Sequence, residues 1–258
     1  FEAFEDTDKG IAGYVQRPLY DKDALDAAIA DYMPDGASVT YNIEEVPDQD
    51  WNQGWEDEGF EPIGVSDNLV IYDAKHTDMS MFAGDDGVMR IFIEARNAFG
   101  TGTHQTTRMI LRRLLGMDLQ GKSVLDCGCG TGILGIVALR LGADHVLGYD
   151  IDEWSSENAK HNAALNGVDN LDVLLGDVSV LEGVEEKFDI VIANINRNIL
   201  INDMAAFKSH LEQDGRLILS GFYDSDVPML ENSAKDNGMT LVDVVADGEW
   251  ACAMFECK

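Results

Sequence analysis

From Ser123 onward, short continuous apolar runs alternate with segments whose apolar residues recur every three or four positions. That is the pattern of buried strands alternating with helices. Strands are predicted over Ser123–Cys127, His145–Asp150, Leu171–Leu175, Phe188–Ile195 and Arg216–Phe222. Helices are predicted over Ile133–Leu141, Glu153–Asn166, Asn198–Leu211 and Val227–Asn237. Strands separated by helices require a parallel sheet covered on both faces. The C-terminal end differs. Thr240–Val245 and Ala251–Glu256 read as strands separated only by Ala246-Asp247-Gly248-Glu249-Trp250. They form a hairpin, so one edge of the sheet is antiparallel.

The first fifty residues follow another rhythm. Phe1–Glu5 and Ile11–Gln16 read as strands around the turn Asp8-Lys9-Gly10. Asp21–Met33 places Ala24, Leu25, Ala28, Ile29 and Tyr32 at helical spacing and is closed by Pro34-Asp35-Gly36. Ser38–Val46 reads as a third strand. Strand, strand, helix, strand is three quarters of a ferredoxin-like α+β unit without its opening strand and helix. Either the chain is truncated or the module is an abbreviated one. Pro47–Pro62 is rich in Asp, Glu, Gly and Trp, and Trp51 and Trp55 stand at i, i+4 spacing suited to a short helix that docks its aromatic side. The expected division is a small α+β substrate-recognition module over 1–46, a linker over 47–62 and a Rossmann-like domain over 63–258.

Composition narrows the chemistry. The 258 residues are 45% hydrophobic, enough for one large domain or a standard one with an appendage. No apolar run approaches a membrane span and the first residues lack a secretory signal, so a cytoplasmic chain with no membrane contact is expected. The formal charge of −30 argues against nucleic-acid contact, since phosphates would be repelled. It suits a surface solvated in a salt-rich cytoplasm or a field drawing in a basic substrate. The deficit of lysine along the whole chain favours the first, and high salt would screen the second. Cys127, Cys129, Cys252 and Cys257 lack the C-x-x-C spacing of a structural zinc site. No metal is expected, only buried thiols, and the chain is expected to be a monomer.

Val124-Leu125-Asp126-Cys127-Gly128-Cys129-Gly130-Thr131-Gly132 ends a buried strand in alternating glycines and opens a helix. Glycine lets the backbone turn sharply there and a ligand approach it without a Cβ in the way. The dinucleotide fingerprint needs its third glycine at position 133, which is Ile133. D-x-G-x-G-x-G is instead the loop of S-adenosylmethionine enzymes, and a doubly wound sheet ending in an antiparallel hairpin resembles the seven-stranded class I methyltransferase fold. Asp150, at the tip of the next strand, is the candidate ribose ligand, leaving Asp152 to cap the following helix. Asp177 is either an adenine ligand or a plain loop carboxylate.

The run Asn97-Ala98-Phe99-Gly100-Thr101-Gly102-Thr103-His104-Gln105-Thr106-Thr107 is similar to the signature of one family, the ribosomal protein methyltransferases acting on large-subunit protein eleven. The likeness continues through Asp126–Leu134, Asp150–Glu153, Ala193–Asn198 and Leu219-Ser220-Gly221, and so spans nearly the whole chain. It implies an S-adenosylmethionine-dependent enzyme that trimethylates lysine side chains and the N-terminal amine of that ribosomal protein. Cofactor contacts carry over to Thr107, Gly128, Gly130, Asp150 and Asn194, with Phe99 similar to the aromatic that closes over the cofactor. Glu94-Ala95 stands where the family usually has an Asn/Asp-Pro pair, which predicts a looser start to the signature. Asn194 is the candidate catalytic residue, at the end of a central strand. There its amide and the following backbone carbonyls can accept hydrogen bonds from an attacking amine and aim it, as the similar N-P-P-Y element does in other amine methyltransferases. Asn196 or Asn198 is then left to cap the next helix. His104 serves as a general base or, the commoner use, orders its own loop. Two other readings share these residues: a related enzyme with another nitrogen substrate, and a cofactor-binding assembly protein without activity.

Overall fold

The computed structural model describes residues 3–7, 10–15, 20–32, 39–44, 59–82, 87–95 and 100–257. The chain divides into two compact units, Phe1–Asp50 and Trp51–Lys258. In the first, β1 (Ala3–Thr7) and β2 (Gly10–Tyr14) pair antiparallel, with Thr7 opposite Gly10. Helix α1 (Lys22–Tyr32) follows, and Asp21 Oδ1 caps it by accepting the N–H groups of Asp23 at 2.9 Å and Ala24 at 3.0 Å. These elements stand where the apolar pattern puts them. The strand expected over Ser38–Val46 does not form in its described part, residues 39–44, and among the described residues the sheet of this unit pairs β1 with β2 alone. Val39, Tyr41 and Ile43 alternate as strand residues do, yet their side chains are exposed. Alternation becomes a strand only when another strand takes its backbone hydrogen bonds.

The second unit opens with a small mixed sheet: β3 (Ile63–Ser66) antiparallel to β4 (Leu69–Asp73), and β4 parallel to β5 (Met89–Ile93). Helix α2 (Gln105–Leu115) follows. The alternation read from the sequence starts at Ser123 and leaves out all four elements. Beyond it come β6 (Ser123–Cys127), α3 (Ile133–Arg140), β7 (His145–Asp150), α4 (Glu153–Leu165), β8 (Leu171–Leu175), β9 (Phe188–Asn194), α5 (Arg197–Ser209), β10 (Leu211–Tyr223), α6 (Val227–Asp236), β11 (Met239–Asp247) and β12 (Trp250–Cys257). The strands form one seven-stranded sheet in the order β8-β7-β6-β9-β10-β12-β11. All neighbours are parallel except β12, which lies antiparallel between β10 and β11.

Strand periodicity sorts the core onto the two faces of this sheet. Val124, Val146, Ile190, Ile192 and Ile218 pack with Ile110 and Leu114 of α2, Ile136 and Val137 of α3, and Ile71 and Ile91 of the small sheet. Leu125, Leu147, Val191, Leu217 and Phe255 pack on the other face with Leu200, Met204 and Phe207 of α5 and Leu230 of α6. Each strand residue thus has the opposite face to its neighbour in sequence. The order reverses at β6, between β7 and β9, and ligands bind at the carboxyl ends of strands where a doubly wound sheet makes that switch.

Candidate functional site

The glycine loop sits at that switch. It leaves β6 at Cys127, and Gly128, Gly130 and Gly132 all adopt positive φ, at 72°, 53° and 78°. A Cβ on Gly128 would overlap Ile195 Cγ2, and one on Gly132 would lie 3.0 Å from Ala159 Cβ, so any side chain at either position would displace its neighbour. The N–H groups of Gly128 and Cys129 donate to the Tyr149 carbonyl at 2.8 and 3.0 Å, tying the loop to the tip of β7. At its base Asp126 is fully buried. Its Oδ2 accepts the Gly135 N–H at 3.2 Å, while Oδ1 has no partner. Burial pushes this carboxyl up to about 7 from the ordinary 3.8, with repulsion from Asp150 adding to it and the Gly135 bond opposing it.

Asp150 ends β7. Its Oδ2 accepts the Gly130 N–H at 2.9 Å and its Oδ1 the Asp152 N–H at 3.1 Å. Each carboxylate oxygen has a second lone pair, so the group still has acceptor capacity. Asp152 caps α4 by accepting the Ser155 N–H at 2.9 Å. Asp177 caps the short 3₁₀ helix Val178–Gly183, taking the N–H and hydroxyl of Ser179. Those bonds hold its carboxyl below the usual range.

Asn194 ends β9. Its Nδ2 donates to Thr107 Oγ1 on α2 at 3.3 Å, and its Oδ1 is buried without a partner. Capping duty falls to Asn196, whose side chain accepts the Asn198 N–H at 2.9 Å. Ser220 of β10 is paired with Asn194, and at Gly221 beside it a Cβ would stand 2.5 Å from the Ile195 carbonyl oxygen. The turn after Asn194 therefore needs a glycine across from it. Phe99 lies outside the described residues, as do Trp51 and Trp55.

His104 is the N-cap of α2: its Nδ1 accepts the Thr106 N–H at 3.3 Å and stands 2.8 Å from Thr106 Oγ1. Burial first, and Arg108 second, lower its pKa. Its ring meets Trp250 edge-on with centroids 4.7 Å apart, and the Tyr223 ring lies 4.6 Å from that of Trp250 at a tilt of 33°. The sequence pattern marks neither aromatic, since Trp250 falls within the expected hairpin turn. The signal available was a large apolar residue next to the turn, with no apolar pattern to absorb it.

Glu94, which precedes the signature, is tied to α4, while residues 96–99 lie outside the described residues. The Glu94 carbonyl accepts from Asn158 Nδ2 at 2.9 Å and Asn162 Nδ2 at 3.2 Å, and its carboxylate meets His161 Nε2 at 2.8 Å. All four cysteines are free and buried. Burial raises the thiols of Cys127 and Cys129 far above the ordinary range and that of Cys252 to about 11, so they pack rather than react. Among the described residues no helix is long and apolar enough to cross a membrane.

Comparison with known proteins agrees with this geometry. The family described as ribosomal protein L11 methyltransferase (PrmA) matches residues 4–258. The ribosomal protein L11 methyltransferase of Bacteroides fragilis is 40% identical over 255 residues, 99% of this chain and 89% of that one. The crystal structure of the ribosomal protein L11 methylase of Lactobacillus delbrueckii subsp. bulgaricus aligns with a TM-score of 0.69 at 31% identity, covering 77% of this chain and all of that one. A T. thermophilus 16S rRNA methyltransferase (RsmC), solved with AdoMet and guanosine, shares the fold alone: TM-score 0.54 and 20% identity over 62% of this chain and 45% of that one. With a class I sheet order, a D-x-G-x-G-x-G loop at its switch point and a family match along nearly its whole length, the chain belongs to the ribosomal protein L11 methyltransferase family and is an S-adenosylmethionine-dependent protein methyltransferase.

Proposed function

We propose that this chain moves methyl groups from S-adenosylmethionine to amine nitrogens of ribosomal protein L11, at lysine side chains and the N-terminal amine. The observation that carries the reading is the buried, unpartnered carbonyl oxygen of Asn194. A buried acceptor without a donor is unfavourable by about 1–3 kcal/mol, so such an atom marks a place where a ligand N–H belongs.

The residues fit the cofactor. Gly128 and Gly130, at φ of 72° and 53°, bring bare backbone to the switch point, and Asp150, with each oxygen taking one backbone N–H, keeps acceptor capacity for a pair of ribose hydroxyls. Bound there, S-adenosylmethionine supplies a methyl group on a sulfonium. Thr107 fixes the Asn194 amide, so that Oδ1 accepts an N–H of the incoming amine and aims its lone pair. Positioning of this kind supplies much of the acceleration in a transfer that needs little acid–base machinery. The amine must arrive neutral. From a solution pKa of about 10.4, deprotonation at pH 7 is unfavourable by roughly 4–5 kcal/mol, and the chain's net negative charge opposes it further. Desolvation at the half-buried end of β9 acts in the other direction.

Residues 1–46 serve as the substrate-recognition module and 47–62 as its linker, which the separate clustering of Phe1–Asp50 supports. The chain works in the cytoplasm as a monomer on the protein itself, without nucleic acid. The net charge of −30 supports that choice of partner. Incubating the purified chain with tritiated S-adenosylmethionine and purified L11 tests the whole reading. Label in L11, recovered as methylated lysine and a methylated N-terminus, is expected; an unlabelled L11 would refute it.

A further inference from the structure

Helix α4 and its C-cap residue place Asn158, Asn162 and Asn166 four residues apart on one face, and all three are buried. Asn166 gives the edge strand β5 what a neighbouring strand would: its Oδ1 accepts the Phe92 N–H at 2.9 Å and its Nδ2 donates to the Phe92 carbonyl at 2.7 Å. Asn162 treats Glu94 in the same way, with Oδ1 accepting the N–H at 2.9 Å and Nδ2 reaching the carbonyl at 3.2 Å. The match is geometric. Four residues of helix rise about 6 Å and two residues of strand about 6.6 Å, so successive asparagines meet successive outward-facing peptide groups.

Unlike Asn166, whose Nδ2 has its further contact with the Asn162 carbonyl at 2.8 Å, Asn162 has its Nδ2 3.3 Å from Asn158 Oδ1. Its Nδ2 also donates to the Thr131 carbonyl at 3.0 Å, inside the glycine loop. Thr131 in turn donates its hydroxyl to the Gly100 carbonyl at 2.6 Å. Glu94 and Gly100, both in the connection from β5 to α2, are thus referred to one residue of the loop: Gly100 directly and Glu94 through Asn162. Ala159, three residues earlier on the same helix, closes against Gly132.

We propose that Asn162 is a positioning residue for the methyl donor, holding the glycine loop in register with the run that carries Gly100 and Thr107. This rests on the reading that the loop holds S-adenosylmethionine. Asn162 lies behind the loop and acts through the Thr131 carbonyl, so its loss loosens the donor site without touching the Asn194 acceptor. Cofactor affinity is the quantity it sets.

The test is calorimetric titration of the purified full chain with S-adenosylmethionine, alongside saturation kinetics on L11 and thermal melting. Asn162→Ala is expected to raise the cofactor Kd about tenfold, equivalent to about 1.4 kcal/mol, while kcat at saturating cofactor stays within about twofold. Asn166→Ala removes the same strand-pairing bonds but no loop contact, so it should melt earlier with a Kd within about twofold of wild type. Asn162→Ser, too short to reach Thr131, should repeat the tenfold effect if the alanine variant does not fold. Equal Kd shifts in the Asn162 and Asn166 variants, or none in either, would overturn the proposal. Failure of the unaltered chain to bind S-adenosylmethionine would instead remove the donor reading, and this inference with it.

Discussion

Asn194 and Thr107 lie 87 positions apart in the chain, and a single 3.3 Å bond from the Asn194 amide to the Thr107 hydroxyl joins the end of β9 to α2. The bond spends the donor half of the Asn194 side chain and leaves its buried acceptor half open. Asn194→Ala removes that acceptor, and kcat on L11 is expected to fall about a hundredfold, the usual effect of deleting one preorganised polar group at a reacting centre. Thr107→Val keeps the shape and loses only the aim. About 1 kcal/mol, or roughly a fivefold fall in kcat, is expected there. Equal losses in the two variants would contradict this division of roles.

Gly221 has a φ of 90° and no room for a Cβ beside the Ile195 backbone. Gly221→Ala should push the Ile195 turn away from β10, lowering stability by on the order of 1–2 kcal/mol in denaturant melts. Because Asn194 precedes that turn, the folded fraction should also lose turnover. An alanine variant of full activity would mean that the turn does not set the position of Asn194.

Asp126 makes stability depend on pH in an unusual direction. Burial raises its carboxyl from 3.8 to about 7, so between those values the native state holds a proton that the unfolded chain has released. Stability from this group is complete below pH 4 and declines as pH rises toward 7. Asp126→Asn has no such dependence. The melting temperature of wild type relative to that variant should fall steadily between pH 5 and 7, and a constant difference would show that Asp126 is ionised throughout.

The methylation rate should rise from pH 7 to 9.5 as the substrate amine loses its proton. His104 is held below its ordinary pKa and caps α2, so it contributes no step to this profile. His104→Gln should keep turnover within about threefold, the glutamine serving as a poorer cap. A flat profile with chemistry rate-limiting, or a collapse of kcat in the His104 variant, would call for a general base.

Much of this is written in local sequence. Alternating apolar runs after Ser123 determine the strands and helices, because burial on both faces imposes its own period on each element. The loop from Asp126 to Gly132 and the acid at Asp150 are legible for a similar reason: positive φ demands glycine, and a strand tip has one place for a carboxylate. Asp152 and Asn196 cap their helices as their positions suggest, since a cap acts within three residues.

Tertiary structure decided the rest. Ser38–Val46 alternates like a strand and its described part is none, because strand formation depends on a partner that the local pattern does not specify. The sheet β3-β4-β5 and α2 are not legible in the local pattern, being short or built against residues far along the chain. The bond of Asn194 to Thr107, the stack of Tyr223, Trp250 and His104, and the reach of Asn162 to both Glu94 and Thr131 join residues 27 to 146 positions apart. The sequence by itself determined the glycine loop and the class of methyl donor that such a loop suits; only packing decided which side chains face one another, because side-chain hydrogen bonds depend on distances that chain connectivity over such spans does not fix.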